Sequence, residues 1–307
     1  MAIKTLRKTQ VEILPADSLK SIPWLIHGFS TRPAGFSKVY GGRTLNLGFT
    51  AQDSRAAVEH NRAKFLRQLG AVTRGRAWPL VMLRQIHSDL IHCVSGVPKP
   101  AAAKSATPKS TDTKSTLAGD GLITQTPGIL LAILTADCLP VILVDAKRRV
   151  VGVFHAGWRG TVKRIVEKGV GEMQRCFGAS PGEIRAAIGP GVHGCCYNVG
   201  PEVRTQFESQ FEYGSKLFRE VEESDPVREK YPLLFLTARA PGHSELPKKI
   251  FLDLVEANRR QLLAAGVAAK NISASPLCTA CHTDLLFSYR AEKGVTGRMM
   301  AVAGIRP

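Results

Sequence analysis

Residues 129–154 read ILLAILTADCLPVILVDAKRRVVGVF, and this stretch decides the fold class. It contains three apolar runs, at 129–135, 141–145 and 150–154, separated by polar or turn-forming residues. Short apolar runs bounded by such residues are typical of buried strands. We therefore predict three strands in close succession, with a fourth at 121–124 before them.

Helical patterns surround these strands but do not alternate with them one by one. Four helices are predicted, over 53–69, 161–176, 201–211 and 253–266. Asp53 is the expected N-cap of the first helix and Gly70 its terminator. Because four consecutive strands resist a repeated β-α-β winding, the predicted fold class is α+β: mixed β-sheets packed as a central sandwich flanked by helices, in a single domain.

The predicted organisation is one catalytic domain, residues 21–307, preceded by a basic N-terminal extension, residues 1–20. Residues 97–117 consist mainly of Ala, Lys, Ser, Thr and Pro without apolar periodicity, and we interpret them as a flexible insertion. The insertion has four Lys and one Asp, so it supplies +3 of the net charge of +17. Most of the positive charge therefore belongs to the folded body.

The composition excludes several classes of protein. Apolar residues make up 44% of the 307 residues, which is enough for a substantial core and unlike collagens, coiled coils or disulfide scaffolds. No apolar run is long enough for a transmembrane helix, and the N-terminus lacks the apolar segment of a signal peptide. Seven cysteines, an odd number, suit reduced thiols. We expect a cytoplasmic protein with no membrane partner, either monomer or homodimer.

The positive charge favours anionic partners or substrates. It also raises the alternative of a nucleic-acid-binding protein without catalytic activity. The sequence shows no helix-turn-helix, RNP or zinc-finger pattern, and aromatic residues make up only 7% of it. We therefore expect no specific nucleic-acid partner.

Three residues that are able to bind a metal ion lie at the ends of apolar runs: His87, Cys138 and His155. Two imidazoles and one thiolate form a three-ligand zinc set that leaves a fourth position for water. Water bound in this way becomes a nucleophile at neutral pH. A single His or Cys at a strand end is usually structural, and the spacing is not a compact zinc motif, so the residues alone leave both interpretations open.

Several ordered motifs resemble the YfiH-type family, also called the laccase-domain or polyphenol oxidase family. The resemblance covers roughly residues 22–305. The central motifs are 119–124 (GDGLIT), 135–140 (TADCLP) and 154–161 (FHAGWRGT). The outer motifs are 27–32 (HGFSTR), 46–48 (NLG), 85–87 (QIH), 188–191 (IGPG), 197–200 (YNVG), 278–279 (CT), 288–290 (SYR) and 297–298 (GR).

The resemblance implies a purine nucleoside phosphorylase that cleaves adenosine, inosine, guanosine and methylthioadenosine with phosphate, and that also deaminates adenosine. It places the metal ligands on His87, Cys138 and His155, with zinc as the expected metal and copper as a possible substitute. The chain departs from the family pattern in the insertion, in residues 220–244, and at Cys281-His282. None of these departures removes a ligand.

Arginines and a carboxylate in the same motifs are candidates for the remaining roles. Arg32 and Arg290 are predicted phosphate contacts, because guanidinium groups match phosphate oxygens with paired donors. Asn46 is a predicted substrate contact, and Arg159 a predicted catalytic residue. Asp137 is a candidate proton shuttle, although strand alternation points it away from Cys138 and favours a supporting role for a ligand.

Three further alternatives remain open. A cysteine-type hydrolase uses Cys138 as nucleophile and His155 as base, and an enzyme that edits peptidoglycan precursors uses the same pair. A copper-dependent polyphenol oxidase has little support, because the chain has only eight His and no His-x-His pair. Cys278, Cys281 and His282 form a Cys-x-x-Cys-His cluster that we interpret as structural.

Overall fold

The computed structural model describes residues 10–96, 117–222 and 248–307. Residues 1–9 of the predicted extension and residues 97–116 of the predicted insertion lie outside these ranges. The chain divides into two compact units, one formed by residues 1–192 and 254–307 and the other by residues 193–253. No helix in the described ranges is both long and apolar enough to cross a membrane.

The secondary structure is dominated by strands. The described strands are β1 (Ile13–Leu14), β2 (Leu25–Ser30), β3 (Pro33–Ser37), β4 (Val72–Thr73), β5 (Arg76–Ala77), β6 (Leu80–Met82), β7 (Ile91–Val94), β8 (Gly121–Thr124), β9 (Leu130–Thr135), β10 (Leu139–Asp145), β11 (Val150–Ala156), β12 (Ile184–Ile188), β13 (Asn198–Val199), β14 (Phe218–Glu222), β15 (Lys248–Leu252), β16 (Ile272–Ala274) and β17 (Met299–Ile305). The described α-helices are α1 (Arg55–Leu69), α2 (Trp158–Val162), α3 (Ile165–Phe177), α4 (Pro201–Gln210) and α5 (Leu254–Ala264).

Two mixed sheets form the larger unit. The first has the strand order β1-β2-β17-β9-β6, and the second has the order β16-β12-β10-β11-β8-β7. Both sheets are antiparallel except at their ends, where β6 runs parallel to β9, β16 to β12 and β7 to β8. The stretch that predicted three strands supplies β9, β10 and β11, but β9 belongs to the first sheet while β10 and β11 form a hairpin in the second. The predicted α+β class with mixed sheets is confirmed.

The two sheets pack face to face, as the alternation of side chains along β9 shows. Leu131 and Ile133 point into a core that they share with residues of the second sheet. Leu130 and Ala132 point to the opposite face, which α1 covers with Phe65 and Leu66. Because successive side chains of a strand point to opposite faces, one strand contributes to both layers.

The β10–β11 hairpin is buried on both faces, which explains its continuous apolar sequence. One face lies against the first sheet and the other against α3. Phe154 packs on α3 at Gly169, where a Cβ atom would lie only 2.6 Å from the Phe154 ring. Glycine at position 169 therefore lets the helix approach the sheet closely.

Two helix predictions need correction. The N-cap of α1 is Ser54, whose Oγ accepts a hydrogen bond from the Ala57 amide, while the Asp53 carboxylate accepts one from Asn46. Gly70 does terminate α1, with a left-handed φ of 75°. The single helix predicted over 161–176 is two helices, broken at Arg164, whose φ is 64°. Apolar periodicity does not reveal this break.

The sheet begins inside the predicted N-terminal extension. Ile13 and Leu14 form β1 and pair with Ser30 and Phe29 of β2. Val11 just before them is buried. These apolar residues interrupt the basic sequence and explain why the chain is incorporated into the sheet here.

The smaller unit contains α4 and the antiparallel sheet β13-β15-β14. The ring of Phe207 on α4 lies 5.8 Å from the rings of both Phe211 and Phe218. This aromatic cluster attaches the helix to the sheet of the same unit.

His27 on β2 makes the stability of the fold depend on pH. Burial lowers the pKa of His27 to about 4, and its Nε2 accepts a hydrogen bond from the Ala16 amide. Between pH 6.5 and 4 the unfolded chain therefore binds a proton that the folded chain does not. We expect the free energy of unfolding to fall by up to about 3 kcal/mol as the pH is lowered through this window. Urea denaturation of the wild type and His27→Gln measures this, and equal pH slopes would contradict it.

Candidate metal centre

The β10–β11 hairpin places Cys138 next to His155. In the antiparallel register Pro140 pairs with His155 and Leu139 with Ala156, so Cys138 lies one residue beyond the paired end of β10. Hairpin pairing thus brings together two residues that are seventeen positions apart in the sequence. This geometry follows from the strand register alone.

The third residue of the cluster, His87, lies in the loop between β6 and β7. Asp120, just before β8, fixes this loop because its carboxylate accepts hydrogen bonds from the amides of Ile86, His87 and Ser88 and from the Ser88 hydroxyl, at 2.6 to 3.2 Å. Charged acceptors make the stronger class of hydrogen bond. A single buried carboxylate therefore fixes the position of His87 by holding the backbone of its loop.

The donor atoms of His87, Cys138 and His155 all lie within 4.8 Å of one another. The Cys138 Sγ is 3.9 Å from the His87 Nε2, and the two imidazole rings meet edge to face with centroids 4.9 Å apart. A tetrahedral zinc ion separates such donors by about 3.4 Å. The side chains therefore fit one zinc ion after small rotations, with a fourth position left for a ligand from solution.

Asp120 also orients His155 within the cluster. Its Oδ1 lies 2.8 Å from the His155 Nδ1, which leaves Nε2 to face the other two donors. This arrangement is the carboxylate–histidine pair that commonly supports metal ligands. Burial alone would raise the pKa of Asp120, but the hydrogen bonds from His155 and Ser88 lower it to about 2.

Sequence reasoning quoted Asp120 in a motif but gave it no role. The available signal was an acidic residue between two glycines at the start of an apolar strand. Such a residue is costly to bury unless it is hydrogen-bonded. The structure shows it fully buried with that requirement met.

Electrostatics favour the deprotonated thiol that a metal requires. Burial opposes ionisation of Cys138, but the positive charge and hydrogen bond of His155 outweigh it and lower the pKa of the thiol. Burial likewise opposes protonation of His155, but Cys138 and Asp120 raise the pKa of its imidazole. Both shifts favour the thiolate of Cys138 and the imidazolium of His155 over the neutral pair.

Two residues of this region have left-handed backbones. The φ of His87 is 56° and that of Asp137, next to Cys138, is 88°. Residues other than glycine adopt such angles at a cost and keep them only where the surroundings enforce them. Hydrogen bonds to Asp120 enforce the first, and the contacts of the Asp137 carboxylate enforce the second.

Gly157 provides the space that the cluster needs. A Cβ atom at this position would lie 2.9 Å from the Cys138 Sγ and 3.3 Å from the His87 Cδ2. We expect Gly157→Ala to displace the thiolate and to lower zinc affinity roughly 10- to 100-fold, as other disturbances of ligand orientation do. Competition with a chromophoric chelator measures this. Gly171→Ala on α3, where a Cβ would meet nothing within 4 Å, is the matched control and is expected to keep the affinity.

Asp137, the candidate proton shuttle, has a carboxylate that is already engaged. It accepts hydrogen bonds from the Thr279 hydroxyl, the Ser288 hydroxyl and the Arg290 amide, each at 2.7 Å. Its side chain is buried. Asp137 directly precedes Cys138 in the chain, but its carboxylate points toward residues 279–290.

Arg32 and Asn46, predicted to bind phosphate or substrate, are both engaged with the protein. The Arg32 guanidinium donates to the carbonyls of Thr283 and Tyr40 and pairs with Glu292 at 2.9 Å. Asn46 is fully buried, with its side chain bonded within its own loop and to the Arg298 amide. Their roles as ligand contacts stay predictions and would require these bonds to be exchanged.

Arg159 and Arg290 are both exposed. Arg159 lies on α2, four residues after His155, with its guanidinium 4.4 Å from the centre of the Trp158 ring. The backbone amide of Arg290 is bonded to Asp137, the neighbour of Cys138. The predicted roles of both arginines stay predictions.

The residues of the Cys-x-x-Cys-His cluster, Cys278, Cys281 and His282, differ in burial, and His282 contacts the backbone of Cys278. Cys278 is buried and Cys281 exposed. The Nδ1 of His282 lies 2.9 Å from the carbonyl oxygen of Cys278, one turn earlier. The structural role predicted for these residues stays an interpretation.

A two-sheet α+β fold with a His–Cys–His cluster at the end of a central hairpin defines a class of candidate metalloenzymes. Within that class, the chain belongs to the multi-copper polyphenol oxidoreductase laccase family, whose model matches residues 26–306. The cluster supplies three donors for one ion. The chain's eight histidines, without a His-x-His pair, do not fit a centre of several coppers.

Similar proteins carry other names. The purine nucleoside phosphorylase YlmD of Geobacillus stearothermophilus is 34% identical over 92% of this chain and 94% of its own length. A protein from an unknown prokaryotic organism, named an adenosine deaminase, is 38% identical over 56% of each chain. The crystal structure of the YfiH protein of Bacillus licheniformis has a TM-score of 0.73 at 31% identity and covers 94% of this chain and 98% of that one. The resemblance to the YfiH-type family is confirmed.

Proposed function

We propose that this chain is a zinc-dependent purine nucleoside phosphorylase that acts on adenosine, inosine, guanosine and methylthioadenosine and also deaminates adenosine. The observation that carries the proposal is the cluster of His87, Cys138 and His155, oriented by Asp120, in a chain that matches relatives named purine nucleoside phosphorylase over nine-tenths of its length. The relative named adenosine deaminase supports the second activity.

The donor set favours zinc over copper as the resident ion. Two imidazoles and one thiolate are ordinary zinc ligands, and a three-ligand set leaves a position open for substrate or water. When bound, zinc supplies a Lewis acid that polarises the group it contacts. Copper would compete for the same donors because it stands higher in the affinity series.

The chain's own residues position the ion and attract the phosphate. Asp120 keeps His155 in the tautomer that presents Nε2. It also holds the loop that contains His87, by accepting a hydrogen bond from the His87 amide. Arg159 and Arg290 are exposed: the first lies on the helix that follows His155, and the second bonds Asp137 through its backbone amide. Guanidinium groups bind phosphate through paired donors, which supports a phosphate-binding role for both. The odd number of cysteines, seven, supports a cytoplasmic site of action.

A product assay on metal-quantified protein tests the proposal. Adenosine is supplied with and without phosphate, and adenine, ribose 1-phosphate and inosine are measured. We expect adenine and ribose 1-phosphate only when phosphate is present, inosine in both cases, and about one zinc per chain as a three-ligand site requires. The proposal would be refuted if folded, zinc-loaded protein formed neither adenine nor inosine.

A cysteine-type hydrolase is the second candidate, and the Cys138–His155 pair favours it. The pKa of the thiol is lowered and that of the imidazole raised, as in enzymes with a cysteine nucleophile. A hydrolase that edits peptidoglycan precursors would use the same pair. Stoichiometric zinc distinguishes the two functions, because a thiolate that ligates zinc is not a free nucleophile. Zinc-free protein that hydrolyses its substrate and is inactivated by iodoacetamide would favour the hydrolase.

A further inference from the structure

Two large side chains with apolar surface are exposed in segments that are connected to candidate metal ligands by the chain or by hydrogen bonds. Ile86 directly precedes His87 and is 40% exposed, and Tyr289 is 53% exposed. Small-molecule sites combine apolar or aromatic walls with a few polar contacts. Of the two, Tyr289 offers an aromatic ring.

Tyr289 is connected to the candidate metal ligand Cys138 through the Asp137 carboxylate. Its two neighbours in the chain both donate hydrogen bonds to that carboxylate: the Ser288 hydroxyl to Oδ1 and the Arg290 amide to Oδ2, each at 2.7 Å. Asp137 is followed directly by Cys138. One hydrogen bond and two peptide bonds therefore separate Tyr289 from a ligand of the candidate metal centre.

Arg298 lies over the Tyr289 ring. Its guanidinium carbon lies 5.7 Å from the ring centroid, within the range of a cation–π contact. The guanidinium is itself held, because Nη1 donates to the carbonyls of Thr296 and Gly297 at 3.0 Å. The ring is thus fixed by a cation while half of its surface stays exposed to a ligand.

The same arginine connects a third motif to Tyr289. The Arg298 amide donates to the Asn46 Oδ1 at 2.9 Å. A Cβ atom at Gly48 would lie 2.7 Å from the Arg298 Cγ, so glycine at this position lets the arginine pack closely. Asn46, whose predicted substrate contact stays a prediction, thus accepts a hydrogen bond from the residue that packs on the Tyr289 ring.

We propose that Tyr289 is the stacking surface for the purine base of the substrate, and that Asp137 is the positioning residue that holds it beside Cys138. The inference rests on the proposed function and adds the residue that recognises the base. Stacking on an aromatic ring tolerates different bases because every purine has the same flat π-face. It therefore suits an enzyme that accepts adenosine, inosine and guanosine alike.

The expected signature is a loss of binding without a loss of metal. Removing an aromatic stacking partner weakens nucleobase binding roughly 5- to 100-fold. Tyr289→Ala should raise the KM for inosine and the Kd for hypoxanthine by this factor, with a smaller change in kcat. Tyr289→Phe keeps the ring and should stay within about twofold of the wild type, because the π-face is preserved. Ser288→Ala removes one of the three hydrogen bonds to Asp137 and should raise KM in the same direction by a smaller factor.

The experiment compares these variants with Val295→Ala, which truncates another exposed apolar residue of the same segment, one that is 55% exposed. Zinc content, hypoxanthine binding by calorimetry, and kcat and KM for inosine at saturating phosphate are measured for each protein. Unchanged KM and Kd in Tyr289→Ala, or an equal effect of Val295→Ala, would overturn the inference.

Failure of the inference and failure of the proposed function give different results. If the wild type cleaves inosine and Tyr289→Ala cleaves it with the same KM, only the inference is wrong. If zinc-loaded wild type neither binds hypoxanthine nor cleaves inosine, the proposed function is wrong and the inference falls with it. Loss of zinc from Tyr289→Ala would also overturn the inference, because it would show that the ring supports the metal centre rather than the base.

Discussion

Alanine at position 155 is expected to remove the metal ion and to lower the rate of inosine phosphorolysis by at least about a thousandfold, because metal-ion catalysis contributes several kcal/mol. His155 is the buried donor at the centre of the cluster, and its Nδ1 is bonded to Asp120. Its removal leaves two donors, His87 and Cys138. Zinc content by mass spectrometry and the product assay with inosine measure the two effects.

The matched control for this prediction is His92→Ala. His92 lies on β7 of the same sheet, and its Nε2 is 2.9 Å from the Ala118 carbonyl oxygen, outside the cluster. We expect this variant to keep its zinc and most of its activity. The zinc-dependent scheme would be wrong if a zinc-free His155→Ala protein retained full phosphorolysis.

Asp120→Asn is expected to have the second largest effect, and to lower both the affinity for zinc and the free energy of unfolding. The amide group cannot accept every hydrogen bond that the carboxylate accepts from residues 86–88 and from His155. Changes to such supporting partners lower metal affinity about 10- to 100-fold. Buried donors left without an acceptor cost about 1–3 kcal/mol each, so the free energy of unfolding should fall as well. Chelator competition and urea denaturation measure the two quantities.

Asp145→Asn separates the two effects. Asp145 is another fully buried carboxylate, at the other end of β10, and it accepts hydrogen bonds from the amides of Lys147 and Arg148 in the hairpin turn. Its loss should lower stability and leave zinc affinity intact. If both variants lose stability and neither loses zinc affinity, Asp120 supports the fold and not the metal ion.

Short-range patterns predicted much of the fold. The apolar runs marked β9, β10 and β11, and Gly70 marked the end of α1 through its left-handed conformation. The same reasoning misplaced the N-cap of α1 by one residue and joined α2 to α3. Both errors concern places where a side chain from another segment intervenes. Asn46 binds the Asp53 carboxylate, which is then not the cap of α1, and Gln261 donates to the carbonyl of Thr161 near the break between α2 and α3.

The residues of the candidate site also fall into two groups: those that the sequence pointed to, and those that only the structure revealed. The sequence and its resemblance to a family named His87, Cys138 and His155, and the structure brings their donor atoms within 4.8 Å of one another. Asp120 and Tyr289 received no role from the sequence. Asp120 makes its hydrogen bonds to residues more than thirty positions away, and the role proposed for Tyr289 depends on the bonds that its neighbours Ser288 and Arg290 donate to Asp137.

The sequence by itself determined the strand-rich α+β class, the order of the strands along the chain and the chemical types of the candidate metal donors. These properties follow from the polarity and conformational preferences of neighbouring residues. Only the tertiary structure decided which sheet each strand joins, which carboxylate supports the donors and which arginines remain exposed. Sheet partners and hydrogen-bond partners are chosen by packing between distant segments, and no local preference encodes that choice.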